Sequence, residues 1–336
     1  MSRDRVLAAD PVRAIAQAVL YEGYLLWPYR RSALKNQQRF SFGGVYPRAF
    51  AAAGAERAEI EMEVVLEACA GTSVEVTLRC LQLVARRPYR RGPSGWEAVD
   101  EVAVDGERHV AWEEATEREF ALGPLGVEEL CAGRRMAIEV PEGRAVEAVA
   151  RDVELVRSWH ALEGELELSA TALGADLLRV RAHLRNVSGW AGHERSEALA
   201  RAFLSAHFIA RARGGAFVSA TDPPAPLAAA AGACHNAGVW PVLVGDPGGR
   251  ELVLGSPIIL SDHPSVAPES PGDLFDGGEI DALLIHSIRA LTDAEREEIR
   301  ATDPRAREIL ERSLAVSPEQ MLALYGAVRE MRVVDP

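Results

Sequence analysis

The stretch AEIEMEVVLEACAGTSVEVTLRCLQLVARR, running from Ala58 to Arg87, decides the fold. Apolar and polar residues alternate through it: Ile60, Met62 and Val64 fall on one face, and Val74, Val76, Leu78 and Cys80 repeat the pattern. A period of two belongs to a half-buried β-strand, because successive side chains of a pleated strand point to opposite faces. Between the runs lies AGTS, residues 70–73, small and polar enough to favour a turn. The stretch therefore predicts two antiparallel strands joined by a turn.

A second pair follows the same logic, EGELELSATAL and ADLLRVRAHLRNVSG turning about Gly174-Ala175-Asp176. Several strands, short turns and few helix signals between Glu59 and Trp190 predict an antiparallel sandwich-like sheet. Upstream, DPVRAIAQAVLYEGY predicts a helix, with Asp10 as cap, Pro11 at the first position, and Val12, Ile15, Ala16, Val19 and Leu20 on one face. Pro28 blocks its continuation, leaving an irregular arm anchored by Trp27, Tyr29, Phe40, Phe42 and Tyr46.

Downstream, RSEALARAFLSAHFIARARGGAFVSATDPP reads as a helix running into a strand pair about Gly214-Gly215. VWPVLVGDPGGRELVLGSPIIL reads as two strands about a Gly-Asp-Pro-Gly-Gly turn, with a third strand after Pro257. LLIHSIRAL reads as a strand, and helix starts are predicted at Asp276, at Thr292 with Glu295, at Asp303-Pro304 and at Ser317-Pro318. The expected class is α+β: an N-terminal helix and arm (1–57), an antiparallel β-rich domain (58–190), and a mixed α/β region ending in helices (191–336), the last continuous in fold with 1–57 or separate from it.

Composition narrows the function. The 336 residues carry a net charge of −13, which disfavours a nucleic-acid backbone, since that partner demands clustered Lys and Arg. No apolar run approaches the ~18 residues of a membrane span, and the N-terminus has no apolar leader core, so a cytoplasmic protein without membrane insertion is expected. The four cysteines form no C-x-x-C. Common nucleotide, zincin and calcium motifs are absent.

Two irregular segments of opposite charge stand out. Tyr21–Phe50 holds Arg30, Arg31, Lys35, Arg39 and Arg48 against Glu22 alone, whereas 261–281 holds six carboxylates and neither Lys nor Arg. Lys35 is the chain's single lysine among 36 arginines, and Asn36 and Asn236 are two of only three asparagines. Opposite charge would order such segments against each other, and scaffold-held loops carry function. Arg30, Lys35 and Asn36 are the expected donors, with Asp262, Glu269 and Asp273 as acceptors. Cys234 and His235, in AGACHNAG, combine thiol and imidazole, so with His263 they are candidate ligands for a transition metal such as Zn, Ni or Fe. The same residue types fit a thiol nucleophile. His160, His183, His207 and His286 lie in strand-like runs and are read as packing or surface residues.

At these same residues the chain resembles a known group. YEGYLLWPYRRSALKNQQRFSFGGVYPRAF (Tyr21–Phe50) and GSPIILSDHPSVAPESPGDLFDGGEIDALL (Gly255–Leu284) resemble two blocks of an uncharacterised bacterial family associated with [NiFe]-hydrogenase gene clusters. The resemblance carries over no catalytic residues. It implies an accessory or assembly factor for a metalloenzyme, one that docks a hydrogenase subunit or assembly protein or handles a metal-site precursor. The competing classes are a metal- or thiol-dependent hydrolase and a non-catalytic interaction module.

Overall fold

The computed structural model describes residues 11–22, 24, 39–40, 42–54, 56–192, 194–265 and 281–323. The protein is α+β, with a large antiparallel sheet, an N-terminal helix and C-terminal helices. Two compact units divide it: the sheet with the N-terminal helix, and the C-terminal helices.

The first element is helix α1, Pro11–Tyr21. The next, β1, runs unbroken from Glu59 to Gly92, where the sequence predicts two strands and a turn. Its 34 residues would span about 110 Å if straight, so the strand must bend. The predicted turn is the bend: the register with a later strand jumps between Ala68 and Ser73. Gly71 supplies the left-handed φ of +84°, the Thr72 hydroxyl accepts the Cys69 N–H at 2.8 Å, and the same hydroxyl donates to the Gly214 carbonyl. A bulge of this kind increases local twist without ending the strand.

Around β1 the remaining strands are β2 (Gly95–Ala98), β3 (Glu101–Val104), β4 (Glu107–Val110), β5 (Trp112–Gly126), β6 (Arg134–Val140), β7 (Gly143–Ala150) and β8 (Val153–Trp159). The expected hairpin follows as β9 (Leu162–Ala172) and β10 (Leu177–Asn186). After the short helix α2 (Arg195–Leu199) comes β11 (Leu204–Phe217), a single strand passing through Gly214-Gly215 and not the predicted strand pair. The β12 (Trp240–Leu243) and β13 (Leu252–Ser256) pair forms as expected, but residues 257–265 add no third strand. β1 pairs with β10 over its first third and with β5 further on, while β11 lies along its other edge. Because β11–β13 pair into the sheet of β1, the sheet's chain path crosses the position 190 at which the sequence divides domains.

The alternation dictates what is inside. Ile60, Met62, Val64 and Leu66, then Val74, Val76, Leu78 and Cys80, are all buried in one core with Leu166, Leu168, Val180, Phe203 and Phe208. The opposite face of β1, β10, β9 and β6 is a charge lattice, with Glu61 on Arg181, Glu165 on Arg185 (2.6 Å) and Arg135 on Glu167 (2.9 Å). Such partly exposed cross-strand pairs are each worth about 0.2–1 kcal/mol, so they fix register more than they add stability.

In the second unit, the run predicted as a strand is helix α3 (Asp281–Arg289), and His286 lies on it. Three helix starts occur as expected. Thr292 and Glu295 form a capping box on α4 (Asp293–Thr302), Asp303 accepts the Arg305 N–H at 2.8 Å on α5 (Pro304–Ala315), and Ser317 and Gln320 cap α6 (Pro318–Ala323). The helix start expected at Asp276 lies outside the described residues.

Candidate functional site

Arg30, Lys35, Asn36, Glu269 and Asp273 lie outside the described residues, and with them the expected pairing of arm and acidic loop. Asp262 is described, and its carboxylate is fully engaged. One oxygen accepts the Leu243 N–H at 2.8 Å and the other the Ser219 hydroxyl at 2.5 Å. Beside it His263 donates its backbone N–H to the Leu243 carbonyl at 2.7 Å. Asp262 and His263 thus clasp the outer edge of β12. The clasp forces His263 to φ +51°, left-handed instead of the extended conformation expected before proline.

Cys234, His235 and Asn236 lie along the start of β1. The Asn236 side-chain carbonyl accepts the Glu63 N–H at 3.0 Å, the His235 N–H donates to the Glu63 carboxylate at 2.7 Å, and Ala237 exchanges both backbone hydrogen bonds with Glu61. Burial, with the Glu63 carboxylate adding to it, pushes the Cys234 thiol up to about 11, so it is protonated at neutral pH. A protonated thiol is a poor nucleophile and a poor ligand. Among the described residues no three His, Cys, Asp or Glu side chains gather closely enough to hold a metal ion.

The structure gathers polar groups elsewhere, at residues the sequence reading passes over. Two adjoining recesses, each of about 490 Å³, meet at His160. Trp159 and Ser158 from the end of β8 line one, with Glu113 and Arg144; Trp190, Glu197 and Arg201 line the other. Buried Gln82 of β1 donates to the His160 carbonyl at 2.8 Å, while Arg118 holds the other end of the same amide at 2.8 Å. The backbone at His160 is thereby fixed from the core outward.

The electrostatics of the groove follow from Arg201. Its guanidinium lies 3.3 Å from His160 Nδ1. Guanidinium can only donate, so Nδ1 accepts and the ring proton sits on Nε2. Partial burial, and then the Arg201 charge, push the His160 pKa down, leaving a neutral imidazole. Trp190 has a buried indole N–H with no hydrogen-bond partner, and its ring packs edge-on to Phe50 at 5.3 Å. Two glycines make room: a Cβ at Gly143 would strike the Trp159 ring, and one at Gly192 the Glu197 carboxylate. Neither Ser158 nor Ser196 hydrogen-bonds His160, so the groove presents donors, carboxylates and indoles without a serine–histidine nucleophile pair.

A further polar cluster lies where α1 covers the sheet. Arg79 is buried, its Nη2 donating to Gln17 at 2.6 Å and lying 3.3 Å from Glu117, its Nε lying 3.6 Å from Glu119. The Gln17 amide and the Tyr21 hydroxyl both donate to Glu117, at 2.6 and 2.8 Å. Across the strand pair, wholly buried His207 donates from Nδ1 to the Ser205 carbonyl at 2.8 Å and has an unpartnered Nε2. Burial pushes its pKa down to about 4, with the Arg79 charge acting in the same direction.

Comparison with known proteins returns neither a matching family model nor a matching curated protein. No helix among the described residues is long and apolar enough to cross a membrane.

Proposed function

We propose that the chain is an accessory factor that docks a client protein during metalloenzyme assembly, the client being a subunit of a [NiFe] hydrogenase. The observation that carries the docking reading is the groove. Its two recesses join at His160, and its two indoles with the charged side chains beside them suit an extended polypeptide segment better than a closed small-molecule pocket. The choice of client rests on the sequence resemblance. A thiol-hydrolase role is less well supported, because Cys234 holds its proton and Asp262 spends both oxygens on the scaffold.

Co-expression with hydrogenase subunits followed by size-exclusion chromatography tests this reading. The expected result is a stoichiometric complex that Arg201→Glu or Trp190→Ala removes and Cys234→Ser leaves intact. Absence of a complex, or one indifferent to both groove substitutions, would overturn it.

A further inference from the structure

β7 leaves one edge of the sheet open. It pairs with β8 alone, and among the described residues nothing from Gly143 to Ala148 makes a backbone hydrogen bond outside that pair. The outer edge of β12, by contrast, is occupied, since Leu243 donates its N–H to Asp262 and accepts from His263. An open strand edge is a template for another strand unless charge, proline or a bulge blocks it. The regular run of β7 is Gly-Arg-Ala-Val-Glu-Ala, with one charge of each sign and no proline, and Val146 within it is 51% exposed. The register jumps only beyond this run, between Ala148 and Ala150.

We infer that β7 pairs antiparallel with β7 of a second copy of this chain, about a two-fold axis at Val146. Symmetry limits what can face what. A two-fold that relates antiparallel strands stands perpendicular to the sheet, so opposed residues share a face and the axis falls on a residue. Centring it on Glu147 sets glutamate against glutamate, which is destabilising. Centring it on Ala145 sets Arg144 against the partner's Val146. Centring it on Val146 sets valine on valine, Arg144 on the partner's Ala148, and Glu147 on the partner's Ala145. Beyond each alanine, in the same row, stands the opposite charge, because β8 places Glu154 beside Ala148 and Arg157 beside Ala145. Arg144 and the partner's Glu154 are then about 10 Å apart at the backbone, with only a methyl group between them, a gap that these two side chains span. Neither has an ion pair within its own chain among the described residues. Glu147 already holds Arg157 at 2.6 Å and gains the partner's Arg157 on the same face. Pairing over residues 144–148 makes a small interface, so the dimer is weak and concentration-dependent. Arg144 also lines one recess of the groove, but the pairing requires no client, so the two readings stand or fall apart.

The test is sedimentation equilibrium of the isolated full-length chain over about a hundredfold range of concentration. The mass is expected to climb from monomer toward dimer. Val146→Lys sets two ammonium groups face to face at the axis, and because the position is exposed the fold does not depend on it; this variant should stay monomeric throughout. Glu154→Arg should weaken the dimer at least about tenfold, and adding Arg144→Glu to it should restore the association of the wild type. A wild type that is monomeric at every concentration, or a dimer that Val146→Lys leaves intact, would overturn the pairing. A charge swap that does not restore association would overturn the register.

Discussion

His207 makes the stability of this protein sensitive to mild acid, and the size of the effect follows from its surroundings. The ring is wholly buried in β11, its Nδ1–H is spent on the Ser205 carbonyl, and no acceptor faces Nε2. A proton added there enters a desolvated position near the Arg79 charge, which is why the pKa falls from 6.5 to about 4. The unfolded chain, with its ordinary imidazole, takes up the proton first as pH falls. Stability from neutral His207 is therefore complete above pH 6.5 and lost as pH drops toward 4. The full shift is worth about 3 kcal/mol, of which about 2.5 kcal/mol is gone by about pH 4.5. Against a typical total of about 5–15 kcal/mol that is a large fraction.

The assay is urea unfolding of the wild type and of His207→Asn at about pH 7.5 and about pH 4.5. Asparagine keeps a donor for Ser205 and does not titrate, while its smaller volume costs the same at both pH values. Carboxylates common to both proteins cancel in the difference. The wild type should lose about 2.5 kcal/mol more than the variant over that interval. Equal losses, or a titration of His207 near its ordinary value by NMR, would refute the burial argument.

Three other consequences can be checked directly. Glu114 accepts from Arg86 at 2.8 Å and Arg157 at 2.7 Å in a mostly buried position, so Glu114→Ala removes one partner from each guanidinium group, leaving Arg86 on the Val110 carbonyl and Arg157 on Glu147, and should cost about 1–3 kcal/mol in chemical denaturation. Leu166 is fully buried in the sheet core, and Leu166→Ala should cost about 2–5 kcal/mol in the same assay. Asp262→Ala should release the clasp on β12 and cost about 1–3 kcal/mol, with faster hydrogen exchange at the Leu243 amide as its local signature.

Much of the fold could be read from the residues because period-two alternation and helix caps are local. The even-numbered face of β1, the β9–β10 hairpin, α1, and the caps at Thr292, Asp303 and Ser317 all follow from neighbours within a few positions. The two errors about turns have one cause. AGTS in β1 and Gly214-Gly215 in β11 face each other across the same register shift. Each looks like a turn locally, and each is a bulge because its partner strand continues pairing on both sides. The run around His286 reads as a strand yet forms a helix, because a short apolar stretch fits either period.

The site was less legible. His160, Trp159, Trp190 and Arg201 come from segments that share no motif, and only the pairing of β8 with β1 and the placement of α2 bring them together. Gly192, two residues after Trp190, is the one local hint, since a Cβ there would meet the Glu197 carboxylate and then the Trp190 indole nitrogen. Conversely, the Cys-His-Asn run looked chemical because its residue types are reactive, yet two of its three members bind Glu63 to hold an edge in place.

The most direct measurement is equilibrium titration of the purified chain into the metal-bearing subunit of a [NiFe] hydrogenase, with wild type and Arg201→Glu compared side by side. Docking through the groove predicts saturable one-to-one binding that the charge reversal weakens at least about tenfold. No binding by the wild type, or equal binding by both proteins, would contradict it.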